Sequence, residues 1–182
     1  NWFDSHVKDW ILWLPTTKGF FSPRNIKNVH AYGIECKSNF SVLLGKECRL
    51  ALNGTFSWTP SINEGEPMTA ADQSIGKQLP YVPEWSSNIS GRLYWKKWSL
   101  LYKWCYYSKR HTMSSNDISL TGKLPEYYMS NLTLERGISL KRVELSLKGA
   151  VNNLFNEEYL SVLSRPMPRI NFEFFIGITP KF

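Results

Sequence analysis

The 182-residue chain lacks features that mark several large classes of protein. No run of about 18 apolar residues occurs, which excludes a transmembrane helix. Its three cysteines, Cys36, Cys48 and Cys105, are odd in number and widely spaced, so they form no zinc or redox motif and at most one disulfide. Helical periodicity is absent along the chain. Acidic residues are fewer than basic ones (15 against 22), but the basic residues form no stripe, so we expect no nucleic-acid partner.

Local patterns of catalysis and cofactor binding are missing as well. The chain has no glycine-rich phosphate loop and no G-x-S-x-G turn. His6, His30 and His111 are scattered and have no acid at ligand spacing. We therefore expect no enzyme, no cofactor, no catalytic residues and no metal site, with the histidines on a surface or in a lumen.

Aromatic residues, in contrast, are abundant. The chain has 8 Trp, 9 Tyr and 10 Phe, which together make 15% of its residues. Such a content suits a protein at a membrane interface or one that binds ligands with exposed rings. The chain opens on Asn1-Trp2-Phe3 without an initiator Met or signal peptide, so we expect a mature chain or a fragment.

Alternation of apolar and polar residues recurs from one end of the chain to the other, and it predicts an all-β fold of about eight strands. Most strands have about 11 or 12 residues, longer than the five or six of soluble sheets and close to the length that crosses a bilayer at a tilt. The predicted strands are Val7 to Leu14, Asn28 to Leu44, Cys48 to Trp58, Trp85 to Lys96, Ser99 to Arg110, Tyr127 to Leu140, Val143 to Leu154, and Asn171 to Phe182.

The links between these strands alternate in length, which is typical of an outer-membrane barrel with short periplasmic turns and long extracellular loops. Short links fall at 45–47, 97–98 and 141–142, and long ones at 15–27, 59–84, 111–126 and 155–170. This order places Phe182, with Trp95 and Trp98, at the periplasmic rim. A second aromatic girdle is predicted at the other rim, from Trp58, Trp85, Tyr128 and Phe155.

The long loops are the best place for ligand contacts because they can fold over the mouth of a pore. Arg165 and Arg169 could meet an anionic ligand, although the prolines beside them could equally serve to stiffen the loop. The ligand-contact candidates are Trp58, Arg110, His111, Arg165 and Arg169.

Several stretches resemble the TonB-dependent outer-membrane receptors. "VNNLFNEEY" (151–159) is similar to their Asn-Leu-Phe-Asp/Asn-x-x-Tyr signature, here Asn153, Leu154, Phe155 and Tyr159. "RPMPRINF", followed by an alternating strand that ends in Phe, resembles their closing strand, although the Gly that members often carry there is missing. "GKQLPYVPEW" (76–85) and "VHAYGIE" (29–35) resemble two upstream elements. Within the family, the likeness is greatest to Bacteroidetes receptors of the vitamin B12 and siderophore type.

The resemblance implies a bacterial outer-membrane protein that takes up a scarce, bulky nutrient such as siderophore-bound iron or vitamin B12, energised by TonB. Residues 1–182 correspond to the C-terminal segment of a barrel that has 22 strands in the family, with the plug domain absent. Implied partners are TonB through a missing N-terminal part, the plug domain, the remaining barrel strands, outer-membrane lipid, a surface lipoprotein, and the barrel-assembly machinery, which would read Phe182 as an assembly signal.

Two other interpretations remain open at this point. Eight strands can close into a self-contained outer-membrane barrel with a structural or small-pore role. A soluble all-β binding domain, such as a lectin-like sandwich, is the other alternative. An open eight-stranded sheet would leave two unpaired edges in lipid, so the chain must either close on itself or pair with further strands.

Overall fold

The computed structural model describes residues 1–15, 20–67, 70, 72–116, 119 and 121–181. These residues form strands, turns and loops, and they contain no helix that is long and apolar enough to cross a bilayer. The strands are β1 (Trp2–Pro15), β2 (Phe21–Leu43), β3 (Cys48–Trp58), β4 (Ser61–Asn63), β5 (Trp85–Trp95), β6 (Trp98–Tyr107), β7 (Arg110–His111), β8 (Lys123–Leu124), β9 (Tyr127–Ser139), β10 (Val143–Asn152), β11 (Leu160–Val162), β12 (Arg165–Pro166) and β13 (Asn171–Pro180).

One large antiparallel sheet contains all the long strands, in the order β1-β2-β3-β5-β6-β9-β10-β13, with β4 paired to β2. Successive long strands are therefore neighbours, as expected for an up-and-down barrel wall. Among the described residues no pairing joins β1 to β13, so the sheet is open. The prediction of an all-β antiparallel sheet of about eight long strands is confirmed, and a barrel closed by these strands alone is not what the structure shows.

The register sorts the side chains into two faces, as the alternation predicts. Residues directly opposite each other share a face. Phe40 is opposite Leu52, and the adjacent row on the same face runs through Leu50, Leu93, Leu100 and Leu134. We call this the apolar face. On β13 it bears Phe172, Phe174, Ile176 and Ile178, which are 61–74% exposed. The opposite, polar face carries Asn39, Asn53, Asn88 and Asn131.

The exposed apolar row decides between a soluble and a membrane fold. Apolar residues make up 42% of the chain, yet only Val29, Leu79, Leu124 and Ala150 are buried hydrophobic residues in the part of the chain that the structure describes. A soluble sandwich would bury one face of its sheet. The wall of a membrane barrel instead turns its apolar side chains towards lipid, and this agrees with the exposure seen here.

The first hairpin differs from the prediction. β2 begins at Phe21 rather than Asn28, and it pairs with β1 from Trp2↔Ile34 up to Pro15↔Phe21, so most of the predicted loop at 15–27 is strand. At about 3.3 Å per residue, the 23 residues of β2 span roughly 75 Å. Only its second half, Ile34 to Leu43, pairs with β3. The β1–β2 hairpin therefore rises well beyond the end of β3.

The other connections follow the predicted alternation of short and long. Strands β2 and β3, β5 and β6, and β9 and β10 are joined by short turns at one end of the sheet. Residues 59–84, 108–126 and 153–170 connect strands at the other end, and we call their described parts the loop layer. The layer contains β4, β7, β8, β11 and β12, five short strands that the alternation did not predict. Phe182, predicted to lie on the apolar face at the rim, falls outside the described residues.

Candidate functional site

The loop layer is held together by buried polar groups. Gln78 is 5% exposed, and its side-chain oxygen accepts the backbone N–H of Ser61 at 2.8 Å. Asn116 accepts the N–H of Gln78 and donates to its carbonyl, both at 2.9 Å, so the segment between β7 and β8 is fastened to the segment before β5. The backbone N–H of Tyr81 donates to the carbonyl of His111 at 2.7 Å. These bonds leave the layer as a connected cap rather than as separate loops.

Two of the predicted ligand-contact residues, Arg110 and His111, lie inside this cap. Arg110 is 5% exposed, and its guanidinium donates to the carbonyl of Leu160 at 2.9 Å and stands 4.9 Å from the ring centre of Tyr127. Burial lowers the pKa of Arg110. His111 is half-buried and its Nδ1 has no hydrogen-bond partner, and burial together with the charge of Lys123 lowers its pKa below 6.5. Arg110 thus connects β7 to the last loop, and both side chains lie within the layer rather than at its surface.

Trp58, the third candidate, lies on the apolar face. Its ring meets Tyr32 edge-on with 5.9 Å between centroids, and it packs against Trp85 at 5.7 Å. Phe56 adds a further contact to Trp85 at 5.6 Å. The row contains Trp58 and Trp85, two of the four residues predicted to form the aromatic girdle at the loop end, and it points away from the polar face on which the loop layer sits.

Arg165 and Arg169 are the two candidates that the structure leaves at the surface. Arg165 is exposed in β12, and Arg169 forms an ion pair with Glu158. Arg169, Glu158 and Tyr159 line a depression of about 390 Å³ at the edge of the loop layer. The structure thus separates the five candidates into two accessible cations, two buried groups and one girdle residue.

The signature residues shape the last loop. Asn153 is 1% exposed and has a left-handed backbone with φ 51°. Its side chain donates to the carbonyl of Glu157 and accepts the N–H of the same residue, both at 2.8 Å, while its own N–H donates to Asn131 Oδ1 at 2.9 Å. Asn adopts this left-handed conformation more readily than most residues. Its side chain thus ends β10 and fixes the backbone of the turn up to Glu157. The Leu154 N–H donates to Ser130, and Phe155 is 64% exposed.

A tyrosine stack on the polar face was missed by the sequence reasoning. Tyr159 stacks on Tyr127 at 4.6 Å between centroids, and Tyr127 stacks on Tyr107 at 5.3 Å. Tyr107 and Tyr127 are opposite each other in β6 and β9. Alternation along β6 and β9 places both residues on the polar face, so this pair could have been predicted from the sequence. Tyr159 lies in a loop, and its contact with Tyr127 could not have been predicted.

A second missed group is a cluster of histidines and acids on the β1–β2 hairpin. The His6 and His30 rings stack with 4.1 Å between centroids and 12° between planes. Asp4 Oδ1 lies 2.8 Å from His30 Nε2 and 3.8 Å from His6 Nδ1. Glu64 lies on the other side, 3.1 Å from His30 Nδ1 and 3.8 Å from His6 Nε2. The expectation that these histidines have no acid at ligand spacing is wrong. Asp4 is two residues from His6 on the same face of β1, whereas His30 and Glu64 come from β2 and from the residue after β4.

Comparisons with known proteins agree with this architecture. The family described as "TonB dependent receptor-like, beta-barrel" matches residues 1–154. The matched range ends at Leu154, so most of the signature and the closing strand lie beyond it. No significant match was found among characterised protein sequences.

Solved structures of outer-membrane receptors share the fold at low identity. BauA, the ferric preacinetobactin receptor of Acinetobacter baumannii, is 15% identical with a TM-score of 0.61, covering 96% of this chain and 26% of that one. Fiu, the ferric-catecholate import receptor of E. coli K12, is 15% identical with a TM-score of 0.64, covering 99% and 24%. The copper transporter OprC is 16% identical with a TM-score of 0.62, covering 92% and 26%.

The chain therefore spans about a quarter of the length of these structures, and the likeness to them concerns the fold. The sheet order, the apolar face, the alternating turns and loops, and a family match over residues 1–154 all point the same way. The chain belongs to the TonB-dependent receptor-like β-barrel family, whose members lie in the bacterial outer membrane.

Proposed function

We propose that this chain is the C-terminal segment of the barrel of a TonB-dependent receptor that takes up a scarce, bulky nutrient. The open sheet supports this proposal, because its two edge strands, β1 and β13, each need a partner if the apolar face lies in lipid. The similar structures, of which this chain matches about a quarter, suggest that further strands supply those partners. A complete barrel of about 22 strands with a plug domain inside it would be the working receptor.

The observation that carries the proposal is the separation of the molecule into an apolar face, a polar face and a loop layer at one end. The apolar face contacts lipid, and the polar face lines a lumen that a plug can fill. The loop layer covers the loop end of the polar face, where a ligand arriving from outside the cell meets it first. Nothing in this arrangement requires a catalytic residue, and the proposed activity is binding and gated passage.

For the nutrient, we propose a metal chelate with negative charge. The structures of similar fold include receptors for ferric preacinetobactin and ferric catecholates and a copper transporter. Arg165 is exposed beside the depression at Arg169, and Tyr159, which stacks on Tyr127, lines the depression with an aromatic ring. A ligand that binds Arg169 displaces Glu158 from it, so binding exchanges one ion pair for another.

The partners proposed for the receptor follow from the family. TonB energises transport through a part of the protein outside this chain, the plug domain occupies the lumen, and the barrel-assembly machinery inserts the strands. A surface lipoprotein that covers the loop layer is a further proposed partner. Outer-membrane lipid surrounds the apolar face.

The proposal is tested by uptake of radiolabelled ferric siderophores and cobalamin in cells that express the intact receptor under nutrient limitation. We expect one ligand to accumulate in cells with TonB, and to be bound but not accumulated in cells without it. Accumulation that is equal in the two strains would favour a passive pore and contradict the proposal. Recovery of the protein without detergent would contradict its membrane location.

The ligand contact is tested separately with the double variant Arg165→Ala/Arg169→Ala. Loss of charged hydrogen bonds worth about 1.5–3 kcal/mol each predicts at least a tenfold loss of affinity for an anionic chelate. Arg142→Ala, in the short turn between β9 and β10 at the opposite end of the sheet, is the matched control and should bind normally. Unchanged affinity in the double variant would remove these arginines from the site.

A further inference from the structure

The cluster on the β1–β2 hairpin has the composition and the spacing of a metal site. Asp4, His6 and His30 each offer one ligand atom, and these atoms all lie within 4.8 Å of one another. Two imidazoles and a carboxylate are a common ligand set for zinc and other divalent first-row ions. The residues come from two strands that are held in register by their backbone bonds, so the set is positioned before any ion arrives.

The three ligand atoms lie close enough together to reach one small ion. Bonds of about 2.0–2.1 Å to nitrogen and oxygen place neighbouring ligand atoms about 3.3 Å apart. Asp4 Oδ1 lies 2.8 Å from His30 Nε2 and 3.8 Å from His6 Nδ1, and all three atoms lie within 4.8 Å of one another. An imidazole binds a metal ion in the plane of its ring, so the two rings must rotate out of their parallel stack when the ion binds. The side chain of His6 is 66% exposed, which leaves room for that rotation.

Glu64 is placed to accept hydrogen bonds from the histidine nitrogens that do not face the ion, as carboxylates commonly do beside metal-bound histidines. Each imidazole turns one nitrogen towards Asp4 and the other towards Glu64, which is 3.1 Å from His30 and 3.8 Å from His6. When the nitrogens on the Asp4 side bind an ion, the remaining N–H groups can donate to Glu64. Such carboxylates orient the ring and raise its basicity as a ligand.

Two carboxylates, Asp4 and Glu64, flank the ring pair on opposite sides. A divalent cation at the Asp4 edge balances this negative charge.

We propose that Asp4, His6 and His30 bind a divalent first-row transition ion, with Glu64 as the acceptor for the rings. The site lies on the apolar-face side of the hairpin. Asp4 is directly opposite Tyr32, whose ring contacts the girdle residue Trp58, and His6 is opposite His30 two residues further along. Since Glu64 follows β4 and the ligands lie on β1 and β2, the ion fastens the tall hairpin to the loop layer. This site is independent of the nutrient that the receptor transports.

The test uses the intact receptor, purified from outer membranes in detergent without a polyhistidine tag and stripped with a chelator. Titration with Zn²⁺ is followed by calorimetry, and Co²⁺ is used as a spectroscopic probe of tetrahedral nitrogen and oxygen ligation. We expect the double variant His6→Gln/His30→Gln to bind one equivalent of Zn²⁺ less than the wild type and to lose the corresponding Co²⁺ bands. Glu64→Gln should bind about 10–100-fold more weakly.

His111→Gln is the matched control, because it removes a histidine from elsewhere in the chain and should leave the titration unchanged. Assembly of each variant is checked by its heat-modifiable mobility on gels, and the exposed His6 is expected to tolerate substitution. An unchanged Zn²⁺ stoichiometry in the double variant would overturn the proposal. So would Ca²⁺ competing with Zn²⁺ on equal terms, since the carboxylates alone would then form the site.

Discussion

Ile89 offers a direct test of which face of the sheet meets lipid. It lies in the middle of β5 on the apolar face, is 49% exposed, and stands between Gly54 and Trp104 on the neighbouring strands. Asn88 is the adjacent residue, is also exposed, and points to the polar face. Ile89→Arg and Asn88→Arg therefore introduce the same side chain at nearly the same depth on opposite faces.

The expected magnitudes differ strongly. An arginine on a lipid-facing strand near the bilayer centre costs about 2–4 kcal/mol, and the same residue facing a polar lumen costs much less. The neighbouring Trp104 ring can stack with the guanidinium, which places Ile89→Arg towards the lower end of that range. Ile89→Ala separates the loss of apolar surface from the charge. At about 0.8 kcal/mol for each methylene group removed from lipid it should cost about 2 kcal/mol, without the further cost of a charge.

The measurement is a urea titration of the intact receptor in phosphatidylcholine vesicles, followed by tryptophan emission. We expect the loss of unfolding free energy to be larger for Ile89→Arg than for Ile89→Ala, and Asn88→Arg to lie close to the wild type. Equal losses for the two arginine variants would refute the assignment of the apolar face to lipid. A larger loss for Asn88→Arg would mean that the faces are reversed.

Two further predictions concern the loop end. A Cβ at Gly33 would lie 1.9 Å from the Trp58 carbonyl oxygen, so Gly33→Ala should lower the thermal midpoint of the receptor, with a loss of about 1–3 kcal/mol or more. Gly54→Ala meets nothing within 4 Å and is the control. Because the pKa of His111 is lowered by burial and by Lys123, its contribution to stability is present above pH 6.5 and is lost as the pH falls through the lowered value. Protease cleavage within 108–126 should therefore rise on acidification, and His111→Gln should flatten that response; an unchanged response would contradict it.

Much of the sheet could be predicted because a strand has a period of two. The opposite faces of Leu50 and Asn53, and the lipid-facing row that begins at Phe172, follow from alternation alone. The short links indicate three of the antiparallel pairs, β2–β3, β5–β6 and β9–β10, because a short link joins neighbouring strands. The beginning of β2 was not predicted because Pro23 argues against a strand. In the structure Pro23 is opposite Trp13 of β1, in the part of β2 that does not pair with β3.

The candidate site was harder to predict because its residues meet across strands. Asp4 and His6 lie on β1, His30 on β2 and Glu64 after β4, and their contact depends on a register that a single sequence does not display. Arg110 was predicted to contact ligand as a cation in a long loop. Its burial depends on another loop, because it donates to the carbonyl of Leu160, 50 residues away in sequence. The signature Asn153 was found by resemblance, and its physical role as a loop cap required the structure.

The hydrogen bonds between loops have a consequence for affinity. Where Asn116 holds Gln78, and Arg110 holds the carbonyl of Leu160, segments from three different connections are already ordered before a ligand arrives. A flexible loop loses conformational entropy when it closes on a ligand, and that loss weakens binding. In this molecule much of the ordering is completed during folding. A ligand bound at this loop layer therefore causes a smaller loss of conformational entropy, and a given affinity needs fewer direct contacts.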